Sequence, residues 1–301
     1  MWTPRFLLFV LLLSSCRSGR LEEVTIAFDA GVAAPAASRP AEPGLRFSVA
    51  AIQSPEGTYG GYSRLLNVLA DRLGTGVTLV QRRSYRETND MLVSGRIDVA
   101  FVCTGGYFDL LKRGAKVDVL AVPVMRGLTT YQSLIIVPAK SAAQRLEDLA
   151  GKRFAFTDEL SMTGYAFPTF VVRSSGLDPQ RFFASAYFTH GHDRSIEAVS
   201  RGLVDGAAVD SNIFEDLVAA DPPLGTRLRV LLRSEPFGIP PIVALETLDG
   251  ATRERVRRSL LGLHERPEAA ALMKEIGIER FVAPPPGTYD TAFAVARVAL
   301  P

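Results

Sequence analysis

The residues best suited to chemistry lie in Thr157-Asp158-Glu159-Leu160-Ser161-Met162-Thr163-Gly164-Tyr165. Ser161 and Thr163 supply two hydroxyls just ahead of an apolar, helix-like stretch. Backbone N–H groups near Thr163, Gly164 and Tyr165 would be the unpaired donors of a helix start. Hydroxyls and amides converging on the positive end of a helix dipole form a cradle for an anion. The same hydroxyls also suit an ordinary helix cap, worth about 1 kcal/mol, and this loop alone leaves both readings open.

Four other loops have the same strand-then-helix setting. Thr189-His190-Gly191-His192-Asp193-Arg194-Ser195 holds two of the three histidines. His-x-His without cysteine or a matched carboxylate pair is a poor zinc pattern, so an imidazole donating to an anion, or capping the helix, is the better reading. Arg83-Ser84-Tyr85-Arg86 offers a hydroxyl and a phenol. In Cys103-Thr104-Gly105-Gly106-Tyr107 the glycines permit close backbone approach. Asp210-Ser211-Asn212 suits either cleft lining or helix capping. There is no Gly-x-Ser-x-Gly elbow and no phosphate-loop lysine. Cys103 with His192 is the one thiol–imidazole pairing to weigh, and Cys103 reads more simply as a small apolar residue at a strand end. No metal or cofactor is expected.

These loops need a scaffold that brings strand ends together, and the pattern supplies one. Strands are expected at 46–52, 77–81 and 97–102, with helices at 62–73 and 86–94. A second set follows: strands at 153–157, 186–189 and 206–210, and helices from Thr163 and Arg194. Repeated strand–helix–strand order predicts parallel sheet covered by helices on both faces. Ligands of such sheets bind beyond the carboxyl ends of the strands. Tyr131–Val137 and Leu228–Leu232 read as two crossings between lobes, and the strand 242–245 with helices from Thr252 and Pro267 completes the first lobe. The plan is a hinged clamshell: lobe 1 at 45–133 and 236–301, lobe 2 at 134–235.

Thirty-four Lys+Arg against 32 Asp+Glu in 301 residues leave no basic excess for nucleic acid. At the start, Arg5 and the eight-residue run Phe6–Leu13 form a leader too short to span about 30 Å of hydrocarbon. Leu13-Ser14-Ser15-Cys16 resembles a bacterial lipobox. Residues 1–15 are thus expected to be a lipoprotein signal peptide and Cys16 the lipidated N-terminus, with an ordinary secretory signal as the other reading. Residues 16–44, rich in Ala, Pro and Ser after Gly31, read as a tether. Cys103, the only other cysteine, then has no intramolecular partner.

Several ordered motifs resemble the phosphate/phosphite/phosphonate substrate-binding proteins of ABC transporters, the PhnD-type group. They run through Ala51-Ile52-Gln53-Ser54-Pro55-Glu56-Gly57-Thr58, Ser84-Tyr85, Gly95-Arg96-Ile97-Asp98-Val99-Ala100-Phe101, the 156–168 segment, His192-Asp193-Arg194-Ser195-Ile196, and Val204–Ser211. The resemblance, from about Leu45 to Val282, implies an α/β fold of the type II periplasmic-binding-protein kind: two lobes of mixed sheet flanked by helices, joined by two hinge crossings. It implies an oxyanion head group held by Ser161, the Met162 backbone, Thr163 and Gly164, assisted by Tyr85 and His192. Met162 stands where relatives often carry Thr or Asn, so fewer head-group contacts are expected. Asn212 and Pro240 stand where binders of aminoalkylphosphonates place carboxylates, which favours phosphate, phosphite or a simple phosphonate.

The function expected on this basis is an exported, membrane-anchored binding lipoprotein, not an enzyme. It would close on the anion between Ser161/Thr163/His192 and Tyr85/Thr104/Tyr107, with Asp210 nearby, and dock on an ABC permease with its ATPase. A sensory lipoprotein presenting ligand to a kinase is the alternative, and an enzyme on this fold a third.

Overall fold

The computed structural model describes residues 44–50, 52 and 55–300. The leader, Cys16, the tether up to residue 43, and Ala51, Gln53 and Ser54 of the first motif lie outside the described residues.

Two sheets organise the chain. In the first, β1 (Gly44–Val49) lies between β2 (Gly76–Val80) and β3 (Val99–Phe101), parallel to both. β12 (Ile242–Leu245) runs antiparallel between β3 and β4 (Val117–Val124), and β13 (Arg280–Val282) closes the edge. In the second sheet β7 (Arg153–Phe156) is parallel to β8 (Ser185–Phe188) and β9 (Gly206–Asp210). β6 (Ser133–Pro138) is antiparallel to β9 and to β10 (Leu228–Arg233). Both sheets are therefore mixed. The parallel parts are the strand–helix–strand units legible in the sequence; the antiparallel strands arrive after the chain crosses between sheets.

Those crossings touch each other. β5 (Thr130–Tyr131) pairs antiparallel with β11 (Phe237–Gly238), and Ile239 N–H donates to Thr129 O at 3.0 Å. Outward and return passages thus form one two-stranded ribbon.

Each sheet is buried on both faces, as expected when helices cover it. Along β6, Leu134 and Ile136 point to a core with Ile196, Val199 and Val209. Ile135 and Val137 point the other way, to Phe154, Phe156 and Met162. The first sheet sits between Leu65, Leu69 and Leu260 on one face and Leu92, Ile97 and Leu110 on the other.

Helices follow the strands closely. α1 (Pro55–Leu73) begins seven residues before the apolar pattern does at Tyr62, because Gly57, Gly60 and Gly61 hide its first turns from periodicity. α2 (Tyr85–Val93) carries Ser84 as its cap, accepting the Glu87 N–H at 3.2 Å. The glycine-rich segment after Cys103 is helical, α3 (Thr104–Lys112). α4 (Phe167–Ser174) and α5 (Pro179–Phe182) lie between β7 and β8, α6 (His192–Ser200) follows β8, and α7 (Ser211–Ala220) and α8 (Pro222–Arg227) follow β9. α9 (Gly250–Leu261) and α10 (Pro267–Glu275) pack on the first sheet. The final helix, α11 (Asp290–Ala299), carries Ala292, Val295 and Ala296 into the core that holds Phe154 and Phe156.

Candidate oxyanion site

Three loops of the second sheet and two of the first end at one place. After β7 the chain makes a wide π-type turn at Met162–Ala166 before α4. Tyr165 and Ala166 N–H both donate to Ser161 O, at 3.1 and 2.9 Å. The widened turn leaves Ser161 as the cap: its Oγ accepts the Gly164 N–H at 2.9 Å, which keeps its own O–H available to donate. A Cβ at Gly164 would lie 2.4 Å from Thr157 Oγ1, so only glycine fits beneath the turn.

Thr163 carries the clearest signal. Its carbonyl accepts the Ser133 hydroxyl at 2.6 Å, while its own Oγ1 is fully buried with no hydrogen-bond partner. The phenol oxygens of Tyr85 and Tyr131 share that condition. The Tyr85 phenol is pushed well above its ordinary range by burial, with Cys103, Asp158, Tyr131 and Asp210 adding to it. Tyr131 is raised by burial next to Cys103 and Asp210, opposed by the neighbouring Thr104 hydroxyl. Both remain neutral donors. A buried polar group without a partner is costly, and the Ser48 and Thr169 hydroxyls share that condition.

His192 opens α6 and is 1% exposed. The Asp210 N–H donates to its Nδ1 at 3.0 Å. That nitrogen is therefore an acceptor, and the ring proton must sit on Nε2. Thr157 Oγ1, 3.1 Å from the same nitrogen, is also 3.4 Å from Ala208 O. Burial holds the imidazole pKa at about 3, so His192 is a fixed neutral donor. Asp210 caps α7 by accepting the Asn212 N–H at 2.7 Å, and burial raises its carboxyl to about 7. The helix-capping reading is the one these bonds show.

The lobes meet around this point. Asp158, after β7, accepts the Tyr85 N–H at 3.1 Å and the Leu160 N–H at 2.9 Å. The His192 N–H donates to Ile52 O at 3.1 Å. Arg126, in the turn after β4, pairs with Asp216 and Glu215 of α7.

Not every expected residue reaches the cradle in the same way. The loops that carry Tyr85, Ser161, Thr163, His192 and Asp210 are joined through the Asp158–Tyr85, Thr157–His192 and Asp210–His192 contacts. Met162 buries its side chain in the core, and its N–H is directed to the Cys103 sulfur. Thr104 Oγ1 donates to Gly238 O at 2.8 Å, tying α3 to the crossing ribbon. Tyr107 packs edge-on against Tyr289 and tilted against Phe293, ring centres 5.0 and 5.6 Å away. The Cys103 thiol is pushed up to about 11 by burial, against the pull of the Met162 and Gly105 N–H groups, which suits a buried thiol and not a nucleophile. Among the described residues no group of three or more His, Cys, Asp and Glu is placed to hold a metal, and no helix is long and apolar enough to cross a membrane.

Two contributors escape sequence reading. Tyr131 lies at the start of a strand-like run that reads as a crossing, and only the tertiary fold, which pairs β5 with β11, sets it beside Tyr85 and Cys103. Asp158 sits inside the most informative loop, where a carboxylate beside an anion site gives no hint that it spans to the other lobe.

A family model for ABC transporter, phosphonate, periplasmic substrate-binding protein matches residues 47–289. The "Phosphate-import protein PhnD" of Mycolicibacterium smegmatis is 29% identical over 167 residues, 52% of each chain, so the match spans about half the length of this curated relative. Among solved structures, PhnD1 from Prochlorococcus marinus in complex with methylphosphonate superposes with a TM-score of 0.76 at 16% identity, covering 84% of this chain and 97% of that one. A binding protein component of an ABC phosphonate transporter from Pseudomonas aeruginosa gives 0.74 at 20% identity, covering 80% and 81%. At these identities the structures speak to the two-lobed periplasmic-binding fold. The family match covers most of the chain, and the protein belongs to the phosphonate periplasmic substrate-binding family of ABC transporters.

Proposed function

We propose that this protein captures a phosphonate-, phosphite- or phosphate-type oxyanion in the cradle between its lobes and delivers it to an ABC permease powered by an ATPase, without a catalytic step. The observation that carries the reading is that, among the buried hydroxyls without a partner, those of Tyr85 and Thr163 belong to loops the Asp158–Tyr85 bond joins across the lobes, with Tyr131 beside Tyr85. Ser161 and the Nε2–H of His192 join them as further neutral donors. Hydrogen bonds to a charged oxygen are about twice as strong as neutral ones, and a dry cleft strengthens them further. The holding force therefore needs no basic side chain, in keeping with the near-zero net charge.

Lobe 1, 45–133 and 236–301, would rotate against lobe 2, 134–235, about the β5–β11 ribbon. The α11 helix belongs to this scheme as a brace, since it packs on both α3 and α4. Export to the periplasm follows from the family, and Cys16 is the proposed lipid anchor, holding the lobes near the permease.

Titration calorimetry with phosphate, phosphite, methylphosphonate and sulfate tests the reading. At least one phosphorus oxyanion should bind, and Ser161→Ala combined with Thr163→Ala should abolish that binding while circular dichroism and cooperative melting persist. Unchanged affinity in the double variant would remove the cradle assignment. Mass spectrometry of membrane-extracted protein tests the anchor: a diacylglyceryl adduct on Cys16, lost in Cys16→Ser.

A further inference from the structure

Ser133 opens strand β6 and, like the apolar run Leu134–Val137 behind it, is fully buried. A hydroxyl in such a place costs free energy unless it finds a partner. Its partner is the turn that carries Thr163: the Ser133 hydroxyl donates to the Thr163 carbonyl at 2.6 Å.

Local sequence explains why that carbonyl needs an outside donor. In a regular helix it would accept the Phe167 N–H, but the Phe167 N–H donates to Met162 O across the widened turn. The wide pattern would call on position 168 instead, and Pro168 has no N–H to give. The Gly164 carbonyl, whose regular partner is also position 168, accepts the Thr157 N–H at 3.2 Å. Pro168 thus leaves two consecutive carbonyls of the turn without a ladder partner. The second sheet fastens both, one from the end of β7 and one from the start of β6.

Ser133 is itself held from two sides. Its N–H donates to Ser234 Oγ at 2.9 Å, and its carbonyl accepts the Ser234 N–H at 3.0 Å. These two residues stand where the outward and return crossings meet the second sheet. On its other side Ser133 is the register partner of Asp210 in β9, whose N–H donates to His192 Nδ1 at 3.0 Å. One strand start is therefore the shared footing of Thr163 and His192.

We infer that Ser133 is a positioning residue for oxyanion binding. Its hydroxyl fixes the Thr163–Gly164 peptide of the wide turn, and through it the aim of the Thr163 side chain, from the point where the crossings enter the second sheet. The inference rests on the cradle reading above and adds to it a residue that acts through Thr163. Without the Ser133 hydroxyl the turn keeps its Ser161 cap, but the Thr163 carbonyl is left buried and unpaired. The peptide then turns toward another donor and carries Thr163 Oγ1 with it.

The test is a double-mutant cycle read by titration calorimetry with phosphate, phosphite and methylphosphonate, with Ser161 intact so that binding stays measurable. At a temperature where circular dichroism shows the protein fully folded, Ser133→Ala should raise Kd about tenfold, the scale of one buried hydrogen bond. Thr163→Ala should weaken binding at least as much. Adding Ser133→Ala to it should cost less than about twofold more, because the hydroxyl that Ser133 aims is gone. Ser133→Cys, which keeps the volume but donates weakly, takes the place of the alanine variant should that fail to fold. A lower melting temperature with unchanged Kd, or losses that multiply in full in the double variant, makes Ser133 a structural residue only and leaves the cradle standing. Binding of none of the three anions by the wild-type protein overturns the cradle, and the positioning role with it.

Discussion

The carboxylate of Asp158 accepts the backbone N–H of Tyr85 across the cleft, at 3.1 Å. A loop of the second sheet thereby caps the first residue of α2, a helix that packs on the first sheet. The amide that would otherwise be a ready donor for an anion is spent on holding the lobes together. Burial raises the Asp158 carboxyl above its ordinary range, opposed by the Leu160 and Tyr85 N–H groups and by His190.

Asp158→Ala tests this bridge. It orphans two buried N–H groups, at about 1–3 kcal/mol for each donor left unsatisfied, and the Tyr85 share falls on the closed form alone. Oxyanion Kd should rise at least about tenfold with a smaller loss in melting temperature. Tighter binding in the variant would mean that Asp158 acts chiefly by repelling the anion.

His192 and Asp210 form an opposed titrating pair. Folding lowers the His192 pKa from its unfolded value of 6.5 to about 3, so below about pH 6.5 the unfolded chain binds a proton that the native state does not. Stability from this group falls as pH falls. Asp210 is raised from 3.8 to about 7, so between those values the native state holds the extra proton and stability rises as pH falls. Between about pH 4 and 6.5 the two slopes, each on the order of 1.4 kcal/mol per pH unit, cancel. His192→Gln should therefore gain stability relative to wild type as pH is lowered through this window, and Asp210→Asn should lose it. Urea unfolding at pH 4.5, 5.5 and 6.5 reads both. Parallel pH profiles in all three proteins would refute the pairing.

Gly105 packs at the lobe boundary. A Cβ there would sit 2.1 Å from the Leu160 carbonyl oxygen, a backbone atom with no freedom to yield. Gly105→Ala should block closure and abolish measurable oxyanion binding, with little loss in thermal stability of the separate lobes. Gly106→Ala is the control. Its nearest neighbour would be Asn89 Oδ1 at 3.6 Å, an ordinary contact, and alanine is the better helix former by roughly 0.5–1 kcal/mol. Small-angle scattering with and without methylphosphonate distinguishes them: compaction in Gly106→Ala, none in Gly105→Ala.

Much of the scaffold was legible from local pattern. β9 and β12 occupy the expected residues, and β7, α2 and α6 start within two residues of expectation, because buried strands and capped helices write their periodicity into adjacent residues. β4, β13 and α11 carried no expectation. Their partners are distant in sequence, and a strand such as β4, placed only by β12 and β13, gives no local sign of where it pairs. The Cys103–Tyr107 segment reads as a loop whose glycines permit close backbone approach, and that approach occurs on a helix: a Cβ at Gly105 would strike the Leu160 carbonyl.

By itself, the sequence determined the family motifs, the hydroxyl-bearing helix start at Ser161 and Thr163, and the alternation of strands and helices. All of these depend on residues a few positions apart. Tertiary structure alone decided that Asp158 reaches the Tyr85 N–H, that Tyr107 packs against Tyr289, and that His192 carries its proton on Nε2. Each depends on which distant segment fills the space beside a side chain, and that is set only when the two crossings pair and the lobes meet.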